Sequence, residues 1–348
     1  MEKILTALSG GIDSAATVIL LREHGFEPEA LYLDMAGDRA SRRKAAETAR
    51  QLKVKLHTED IRDEFRRRVI DQTLSEHNAG RTPSPCAVCN PQVKWRFLAG
   101  VADRLGIGLI STGHYIRITH QDGVLYVVRG VDPAKDQSYY LWGLGQEVLK
   151  RAVTPLGDFT KTEIRALLAG HGLMELAGGS ESMGVCFLKD GSYRKFLEEN
   201  LSDGIAPGEV VNRQGNIIGR HEGYQLYTIG QKRGFSAGSE EVHITHIDAP
   251  ANRITVSDDP EELYSSVLFG EGLYAPDPGR LASEGLKVAI RGLGRNPEGA
   301  CKVTPGERGA VTVELEGGRA WAAAPGQPMV FYDGDAVVGG AFLAGSKH

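Results

Sequence analysis

The sequence predicts an α/β protein: a doubly wound, mostly parallel sheet, followed by a small β-rich central domain and a C-terminal β-barrel. Over the first 114 residues, short apolar runs alternate with helix-length amphipathic segments, which is typical of a parallel sheet covered by helices. After about residue 200 the pattern changes to short alternating runs bounded by glycine and aspartate, which is typical of small β domains. A chain of 348 residues is also longer than a domain with a single hydrophobic core usually is, so we expect two or three domains.

The elements of the first part follow one another at short intervals. Predicted strands are 3–9, 29–35, 54–60 and 108–114, and predicted helices are 14–25, 41–52, 61–78 and 93–106. Further along, "TKTE" at 160–163 is a capping box that opens another helix, which ends near Gly172. We place a catalytic domain with a helical part at 1–200, the central β-rich domain at 201–264 and the barrel at 265–348.

Composition narrows the class of protein. No apolar run reaches the length of a membrane span, and "MEKILTALSG" lacks the basic-then-apolar order of a signal peptide. Four cysteines without an export signal favour a reducing compartment, so we expect a cytoplasmic protein with no membrane partner. The net charge is −5, so a nucleic acid would have to be bound by local basic patches.

The segment "LSGGIDSAA" (8–16) stands where the first strand turns into the first helix. Two glycines let backbone amides approach an anion closely, and the helix that follows adds the positive end of its dipole. The lysine of a Walker loop and the third glycine of a dinucleotide loop are both missing. The loop therefore predicts a phosphate site, and the alternative is a turn that uses glycine only for its geometry. Asp13 would help hold Mg²⁺, order the loop or simply favour the helix dipole.

The segment "TPSPCAVCNPQVKW" (82–95) places Cys86 and Cys89 in a loop bracketed by prolines. Thiolates are good nucleophiles and metal ligands, and two thiols together can form a disulfide. The spacing alone leaves three uses open: a metal clamp, a redox pair and a nucleophile.

Six motifs occur in order along the chain. They are "SGGIDS" (9–14), "AGRTPSPCAVCNPQVKW" (79–95), "STGHY" (111–115), "KDQSYYLW" (135–142), "SESMGVCF" (180–187) and "YTIGQKRG" (227–234). Together they resemble the bacterial tRNA-specific 2-thiouridylase (MnmA) family, within the PP-loop ATP pyrophosphatase superfamily, over nearly the whole chain. The resemblance implies a fold of the adenine nucleotide α-hydrolase type and an ATP-dependent transferase. Such an enzyme adenylates C2 of the wobble uridine in the tRNA anticodon stem-loop, replaces its oxygen with sulfur, and releases pyrophosphate and AMP. Because the target base must enter a closed site, we expect base flipping.

The resemblance also assigns functions to residues. ATP and Mg²⁺ would be bound by Ala7, Leu8, Ser9, Gly10, Gly11, Ile12, Asp13, Ser14, Leu33, Met35 and Gly113. The tRNA would be contacted by His114, Lys135, Asp136, Gln137, Arg291 and Gln327. Gly292 stands where the family has a tyrosine, which weakens the contact at Arg291. Apart from the resemblance, "QKR" (231–233) lies in a glycine-flanked loop and is a candidate phosphate-binding loop, whereas the basic run 66–68 is interpreted as a solvated helix face.

The resemblance sharpens the question of the cysteines. Cys89 matches the nucleophilic cysteine of the family, and Cys186 in "GVCF" matches its persulfide carrier. Cys86 stands where the family has an aspartate, so a proposed acid–base carboxylate is lost and a third thiol is gained. Three thiolates with an open fourth position suit a [4Fe–4S] cluster whose free iron holds sulfide. The alternatives are persulfide–disulfide chemistry, and zinc or structural thiols. The sulfur donor would be a protein or free sulfide.

Two rival functions belong to other classes. One is a PP-loop synthetase or amidase that acts on a small molecule, which would need neither the β domains nor three thiols. The other is a non-catalytic tRNA-binding protein with a vestigial nucleotide loop. AMP release or ATP–pyrophosphate exchange that depends on tRNA separates the three functions.

Overall fold

A computed structural model of the chain describes residues 1–179, 184–188, 192–201, 204–237 and 241–347. These residues fold into two compact units, each discontinuous in sequence. Unit 1 comprises Met1–Val69, Cys86–Phe187 and Asp335–Val337, and unit 2 comprises Ile70–Pro85, Leu188–Gly334 and Val338–His348. The domain boundaries predicted from the sequence stay a prediction. Within the described ranges, no helix combines the length and the apolar character needed to cross a bilayer.

The secondary structure is mixed throughout the chain. The α-helices are α1 (Ile12–Glu23), α2 (Arg39–Gln51), α3 (Arg62–Phe65), α4 (Asp71–Asn78), α5 (Pro85–Cys89), α6 (Trp95–Leu105), α7 (Gln146–Leu149), α8 (Lys161–Gly170), α9 (Met174–Ala177) and α10 (Tyr193–Asn200). The strands are β1 (Glu2–Ala7), β2 (Phe26–Asp34), β3 (Leu56–Asp60), β4 (Leu109–Ser111), β5 (Ile116–Gln121), β6 (Val124–Arg129), β7 (Ala152–Val153), β8 (Gly208–Val211), β9 (Ile217–His221), β10 (His243–Asp248), β11 (Arg253–Ser257), β12 (Tyr264–Ser265), β13 (Val267–Tyr274), β14 (Lys287–Ala289), β15 (Ala300–Pro305), β16 (Val311–Glu316), β17 (Ala320–Trp321), β18 (Pro328–Asp333) and β19 (Ala336–Lys347).

The main sheet of unit 1 is parallel and has the strand order β3–β2–β1–β4–β7. The chain leaves β1 towards β2 and β3 on one side and returns to β4 on the other, so the order reverses between β1 and β4. In open α/β sheets, ligands bind at such a reversal, beyond the carboxyl ends of the strands. The predicted parallel α/β fold is confirmed, and it directs attention to the residues that follow β1 and β4.

Helix α1 is buried along most of its length. Its side chains join a core cluster in unit 1 with apolar residues of β2, α2 and α8, among them Ala30, Ala49 and Ile164. This packing fixes the start of α1 against the sheet, and with it the turn that joins β1 to α1.

Two features of the first half of the chain differ from the sequence expectation. The predicted helix 61–78 is divided, because a π-helical segment, Arg66–Ile70, separates α3 from α4. The hairpin β5–β6 was not predicted, although its turn carries the local signal Asp122–Gly123, with φ of +50° and +80°. An Asp-Gly pair with positive φ at both residues is typical of a two-residue β-hairpin.

Unit 2 contains the β-rich parts of the chain. One sheet has the order β10–β11–β8–β9, and its core includes Val210, Ile244 and Val256. The C-terminal sheet runs β14–β18–β19–β13–β16–β15. The N–H of Cys301 at the start of β15 donates to the carbonyl of Leu286, directly before β14 (2.7 Å), so the two ends of this sheet meet. The small β domain and the C-terminal β-rich domain that the sequence predicted are confirmed.

Candidate active site

Gly10 lies at the tightest point of the turn between β1 and α1. Its φ is +82°, a left-handed conformation that favours glycine. A Cβ atom at this position would lie 2.8 Å from the backbone nitrogen of Ala45 and 2.8 Å from the carbonyl carbon of Lys44, both in α2. Glycine is therefore required here by the backbone conformation and by the close approach of α2.

Two serine hydroxyl groups fasten this turn to the start of α1. The Ser14 hydroxyl donates to the Gly11 carbonyl (3.0 Å), and Ser9 Oγ lies 3.2 Å from Ser14 Oγ. The Gly11 N–H donates to Ser9 Oγ (3.4 Å). Gly11 is the N-cap of this 12-residue helix and has no side chain with which to cap it. The first N–H groups of a helix lack partners within the helix, so this end suits an anion.

The other predicted residues of this loop belong to the core or to its edge. Ala7 ends β1 and is half-buried, whereas Leu8 and Ile12 are buried. The Leu8 N–H continues the sheet by donating to the Leu31 carbonyl (2.8 Å). These residues hold the loop in place through their packing.

Lys161 reaches Asp13 in the first turn of α1. Its Nζ lies 2.6 Å from Asp13 Oδ1, and the hydroxyl of Tyr115 donates to the same oxygen (2.7 Å). Lys161 is buried and lies 5.6 Å from the centre of the Tyr115 ring. It begins α8 directly after Thr160, whose capping box with Glu163 confirms the helix start that the sequence predicted. A cation is thus fixed beside the turn between β1 and α1. This turn contains Gly10 and Gly11 and is called the glycine loop below.

Sequence reasoning did not identify Lys161 and Tyr115 as site residues. Both lie in motifs that the sequence shows, "TKTE" and "STGHY", but the first predicts only a helix start. Lys161 and Asp13 are 148 positions apart, so no local pattern contains their contact. A lysine at the start of a helix, where a cation is unfavourable to the dipole, is the one signal available.

Gly113 follows β4 and packs against the same helix turn. A Cβ atom on Gly113 would lie 3.1 Å from the Asp13 carbonyl carbon and 3.1 Å from the Ser14 nitrogen. Gly113 therefore lies beside the glycine loop, at the point where the strand order reverses.

Leu33, near the end of β2, is buried, and Met35, just after β2, is half-buried. Since β2 is the parallel neighbour of β1, both lie at the same edge of the sheet, and their contact with adenine stays a prediction.

His114 is buried inside unit 1. Its Nδ1 lies 2.7 Å from Thr112 Oγ1, and its ring stacks on Trp95 with 6.0 Å between ring centres. Burial lowers the pKa of His114 well below its usual value, and Lys94 lowers it further. The ring is therefore neutral at physiological pH, and its contacts with Thr112 and Trp95 stabilise the chain that follows β4. A tRNA contact of His114 stays a prediction.

The segment 135–137 is also connected to the glycine loop. Asp136 is buried and accepts hydrogen bonds from the N–H and the hydroxyl of Ser138 (3.1 and 2.8 Å). Gln137 Oε1 accepts from the N–H of Tyr115 (3.1 Å), the residue whose hydroxyl donates to Asp13. Lys135, at the edge of this turn, is half-buried. Asp136 and Gln137 thus order the chain around Tyr115, and direct contact of the segment with tRNA stays a prediction.

Three of the four cysteines belong to unit 1. Cys89 is buried, Cys86 is half-buried and Cys186 is exposed. Burial raises the pKa of Cys89 to about 12 and also raises that of Cys86, while the charge of Lys94 lowers both. A negative charge on Cys186 would raise the pKa of both other thiols, so the three lie within electrostatic range of one another.

These thiols do not fit a metal centre in the described conformation. Across the described parts of the chain, no three His, Cys, Asp or Glu side chains are grouped so that they could hold a metal ion. No step is therefore derived through a [4Fe–4S] cluster or zinc. Residues 180–183 of the motif around Cys186 lie outside the described residues. Cys301 is buried in β15 of unit 2, where burial raises its pKa to about 12.

The remaining predicted residues lie in unit 2. The guanidinium carbon of Arg291 lies 4.8 Å from the centre of the Trp321 ring, and its Nη2 donates to the Ala322 carbonyl (2.7 Å). Gln327 Nε2 donates to the carbonyls of Thr82 and Pro83 (2.7 and 3.2 Å). Gln327 therefore holds the segment that precedes Cys86 in the sequence.

Comparison with known proteins covers almost the whole chain. Three family models match: the tRNA methyl transferase HUP domain at residues 2–190, the tRNA methyl transferase PRC-barrel domain at 194–258 and the aminomethyltransferase beta-barrel domain at 276–343. The tRNA-specific 2-thiouridylase MnmA 3 of Bacteroides fragilis is 38% identical, over 99% of this chain and 95% of its own length. The tRNA-specific 2-thiouridylases MnmA of Amoebophilus asiaticus and Geobacter metallireducens are 38% and 37% identical, over 99% and 98% of this chain and 96% of each relative.

Proposed function

The chain belongs to the MnmA family of tRNA-specific 2-thiouridylases, and we propose that it uses ATP to replace the C2 oxygen of the wobble uridine of tRNA with sulfur. The resemblance predicted from the ordered motifs is thereby confirmed. The observation that carries the proposal is the glycine loop between β1 and α1, with the ammonium group of Lys161 fixed beside it. A helix N-terminus and a cation together suit a polyphosphate at the reversal of strand order.

Each residue of the glycine loop makes a different contribution to the binding of ATP. Gly10 and Gly11 let the backbone approach the phosphates, and the first N–H groups of α1 donate to them. The polyphosphate competes with Asp13 for Lys161, because both are anionic partners within reach of one ammonium group. Mg²⁺ is held largely by substrate phosphates in such sites, with one or two carboxylates, and Asp13 is the carboxylate that this loop offers.

The reaction has two displacements. The C2 oxygen of the uridine attacks the α phosphorus of ATP, and pyrophosphate leaves with the electron pair of the broken P–O bond. Sulfur then attacks C2, and AMP leaves with the former C2 oxygen. If the sulfur arrives as sulfide, the second step is redox-neutral.

A persulfide carrier adds a disulfide step. Cys186 is exposed, so it can receive a persulfide from a donor, and its terminal sulfur then bonds to C2. Cys89, whose pKa is raised by burial, gives up its proton to solvent as it reacts, and its Sγ attacks Cys186 Sγ. This attack breaks the S–S bond, leaves sulfur on C2 and forms a disulfide, which a dithiol must reduce. We propose this route for a persulfide donor and the direct route for sulfide.

The test is thiolation of tRNA by the purified protein. The protein is incubated with ATP, Mg²⁺, sulfide and a tRNA that carries a wobble uridine, and the digested tRNA is analysed by mass spectrometry. We expect 2-thiouridine to form together with AMP, and a matched tRNA with a wobble cytidine to give neither. AMP release without tRNA would instead indicate a synthetase for a small molecule, and tRNA binding without AMP release would indicate a non-catalytic binding protein.

A further inference from the structure

Cys86 and Cys89 lie three residues apart on the short helix α5. In an α-helix, residues at this spacing have Cα atoms about 5 Å apart. A disulfide spans Cα separations of about 4.4–6.8 Å, so a bond between these two cysteines is within reach. Cys86 lies in the first turn of α5, where the N–H groups have no partner within the helix, so a small backbone adjustment there breaks no helical hydrogen bond. The helix therefore places the two thiols where a redox pair needs them.

The two thiols differ in their access to solvent. Cys89 is 5% exposed, whereas Cys86 is half-buried. Burial raises the pKa of both, and a negative charge on Cys86 would raise that of Cys89 further, so the two side chains lie within electrostatic range. A reductant from solution therefore reaches Cys86 more readily than Cys89.

The positive charge of Lys94 acts on both thiols. Lys94 is half-buried at the end of the π-helical segment Asn90–Lys94, and its backbone N–H donates to the sulfur of Cys89. Its charge lowers the pKa of Cys86 and of Cys89, against the effect of burial. Thiol–disulfide exchange begins from a thiolate, so this cation favours exchange at α5.

Cys186 is attached to unit 1 through its neighbour in the sequence. Phe187 packs edge-on against Phe65, with 6.1 Å between the ring centres, and Phe65 is buried at the end of α3. A negative charge on Cys186 would raise the pKa of Cys86 and of Cys89. The exposed thiol therefore lies within electrostatic range of the pair on α5.

We propose that Cys86 is the resolving thiol of the persulfide route, which moves the disulfide from Cys89–Cys186 to Cys86–Cys89. The proposal rests on the proposed function, because the first disulfide forms when sulfur reaches the uridine. The Cys86 thiolate attacks Cys89 Sγ, the Cys89–Cys186 bond breaks, and its electron pair leaves on Cys186 Sγ. The proton that Cys86 loses goes to solvent, and solvent returns one to Cys186. One disulfide replaces another, so the exchange consumes no oxidant.

Proximity favours Cys86 over a thiol from outside. Cys89 Sγ is buried, so an outside thiol reaches it poorly, whereas Cys86 lies beside it on the same helix. A group held next to its target acts at an effective concentration far above that of a free reagent. The departing thiolate forms on Cys186, which is exposed, so water solvates its charge. Cys186 is then free to accept the next persulfide, while a dithiol reduces the Cys86–Cys89 disulfide.

The first test maps disulfides in the wild-type protein without tRNA or ATP. The protein is equilibrated in a glutathione redox buffer, its free thiols are alkylated, and a tryptic digest is analysed by mass spectrometry. Cys86 and Cys89 share the tryptic peptide 82–94, so their disulfide appears as this peptide without alkylation and lighter by two hydrogens. We expect this peptide to be the main oxidised form. The proposal is overturned if Cys89–Cys186 is the main disulfide, or if Cys86 and Cys89 stay reduced while the buffer oxidises other thiols.

The second test follows one round of sulfur transfer. Protein loaded with persulfide on Cys186 by glutathione persulfide receives ATP, Mg²⁺ and tRNA with a wobble uridine, without a reductant. We expect the wild type to finish with the Cys86–Cys89 disulfide and a free Cys186, and Cys86→Ser to finish with the Cys89–Cys186 disulfide. Reduction of the oxidised protein by a dithiol should then be about 10-fold slower for Cys86→Ser. The control Cys301→Ala removes a thiol of unit 2 and should give the wild-type result.

The two tests separate this proposal from the proposed function. If 2-thiouridine forms and the wild type retains the Cys89–Cys186 disulfide, Cys86 is not the resolving thiol and the proposed function stands. If the redox buffer joins Cys86 to Cys89 but no 2-thiouridine forms with any sulfur source, the proposed function fails and the redox pair stands. A structural role of Cys86 alone predicts the same disulfide in the wild type and in Cys86→Ser, and that result would also overturn the proposal.

Discussion

The ammonium group of Lys161 lies 2.6 Å from a carboxylate oxygen of Asp13, in the first turn of the helix that follows the glycine loop. The lysine side chain is 10% exposed and that of the aspartate 37%. The pair therefore lies beside the glycine loop, which is the candidate ATP site, and its cation is largely shielded from water.

Replacing Lys161 with methionine should impair the use of ATP. Methionine keeps much of the side-chain volume and removes the charge that a triphosphate would meet. We expect kcat/KM for ATP to fall about 100-fold, which corresponds to about 2.7 kcal/mol of transition-state stabilisation. The control is Lys150→Met, an exposed lysine paired with Glu147 on the surface. Equal activity of the two variants would remove Lys161 from the site.

Replacing Gly10 with alanine should destabilise the protein. The positive φ alone costs a side-chain-bearing residue about 1 to 3 kcal/mol, and the Cβ would also meet the backbone of α2. We expect a clear fall in the free energy of unfolding, measured with urea. Gly100→Ala is the matched control, because Gly100 lies inside α6 and a Cβ there meets nothing within 4 Å. That variant should gain about 0.5 to 1 kcal/mol. Equal losses in both variants would contradict the account of Gly10.

Glu29 should make the stability of the protein depend on acid pH. It is buried, and its hydrogen bonds with Lys3 (2.8 Å) and His57 (2.6 Å) lower its pKa from 4.5 to about 2. A lowered pKa in the folded state means that the stabilisation is present above pH 4.5 and is lost as the pH falls towards 2. We expect Glu29→Gln to be less stable than the wild type by about 2 kcal/mol at pH 7, and the difference to shrink at pH 3. A difference that stays constant with pH would contradict this.

The cysteines should separate the two routes for sulfur. With a persulfide donor, Cys186→Ser should abolish thiolation because the carrier is missing. Cys89→Ser should stop the reaction with the transferred sulfur bonded both to Cys186 and to C2 of the uridine, a covalent protein–tRNA adduct that mass spectrometry of the intact protein would detect. The control Cys301→Ala removes a thiol of unit 2 and should leave the thiolation rate unchanged. With free sulfide, the Cys186→Ser variant should retain activity, and its failure there would show that Cys186 serves both routes.

The sequence predicted those parts of the fold that depend on local patterns. Alternating apolar runs located all four predicted strands of unit 1, and the capping box at Thr160 located the start of α8. The π-helical turn Asn90–Lys94 was not predicted, because it differs from an α-helix in hydrogen bonding and not in residue type. The pairing of β6 with β19 was not predicted either, because it joins Val128 to Ala336, which are far apart in the sequence.

The candidate site was predictable only where one motif contains it. Gly10, Gly11 and Asp13 lie within one motif, so their grouping at the turn after β1 was predictable from the sequence, and their contact with a phosphate stays a prediction. The environment of a side chain could not be predicted from a motif. For that reason the burial of His114 and Cys89 is known only from the structure.

The central claim is that the uridine C2 oxygen bonds to the α phosphorus of ATP before sulfur replaces it. The most direct measurement uses tRNA whose wobble uridine carries ¹⁸O at C2, incubated with the protein, ATP, Mg²⁺ and sulfide. Mass spectrometry of the products should find one ¹⁸O in each AMP formed and none in the pyrophosphate. If 2-thiouridine forms while AMP contains no ¹⁸O, the oxygen left by another route and the account is wrong.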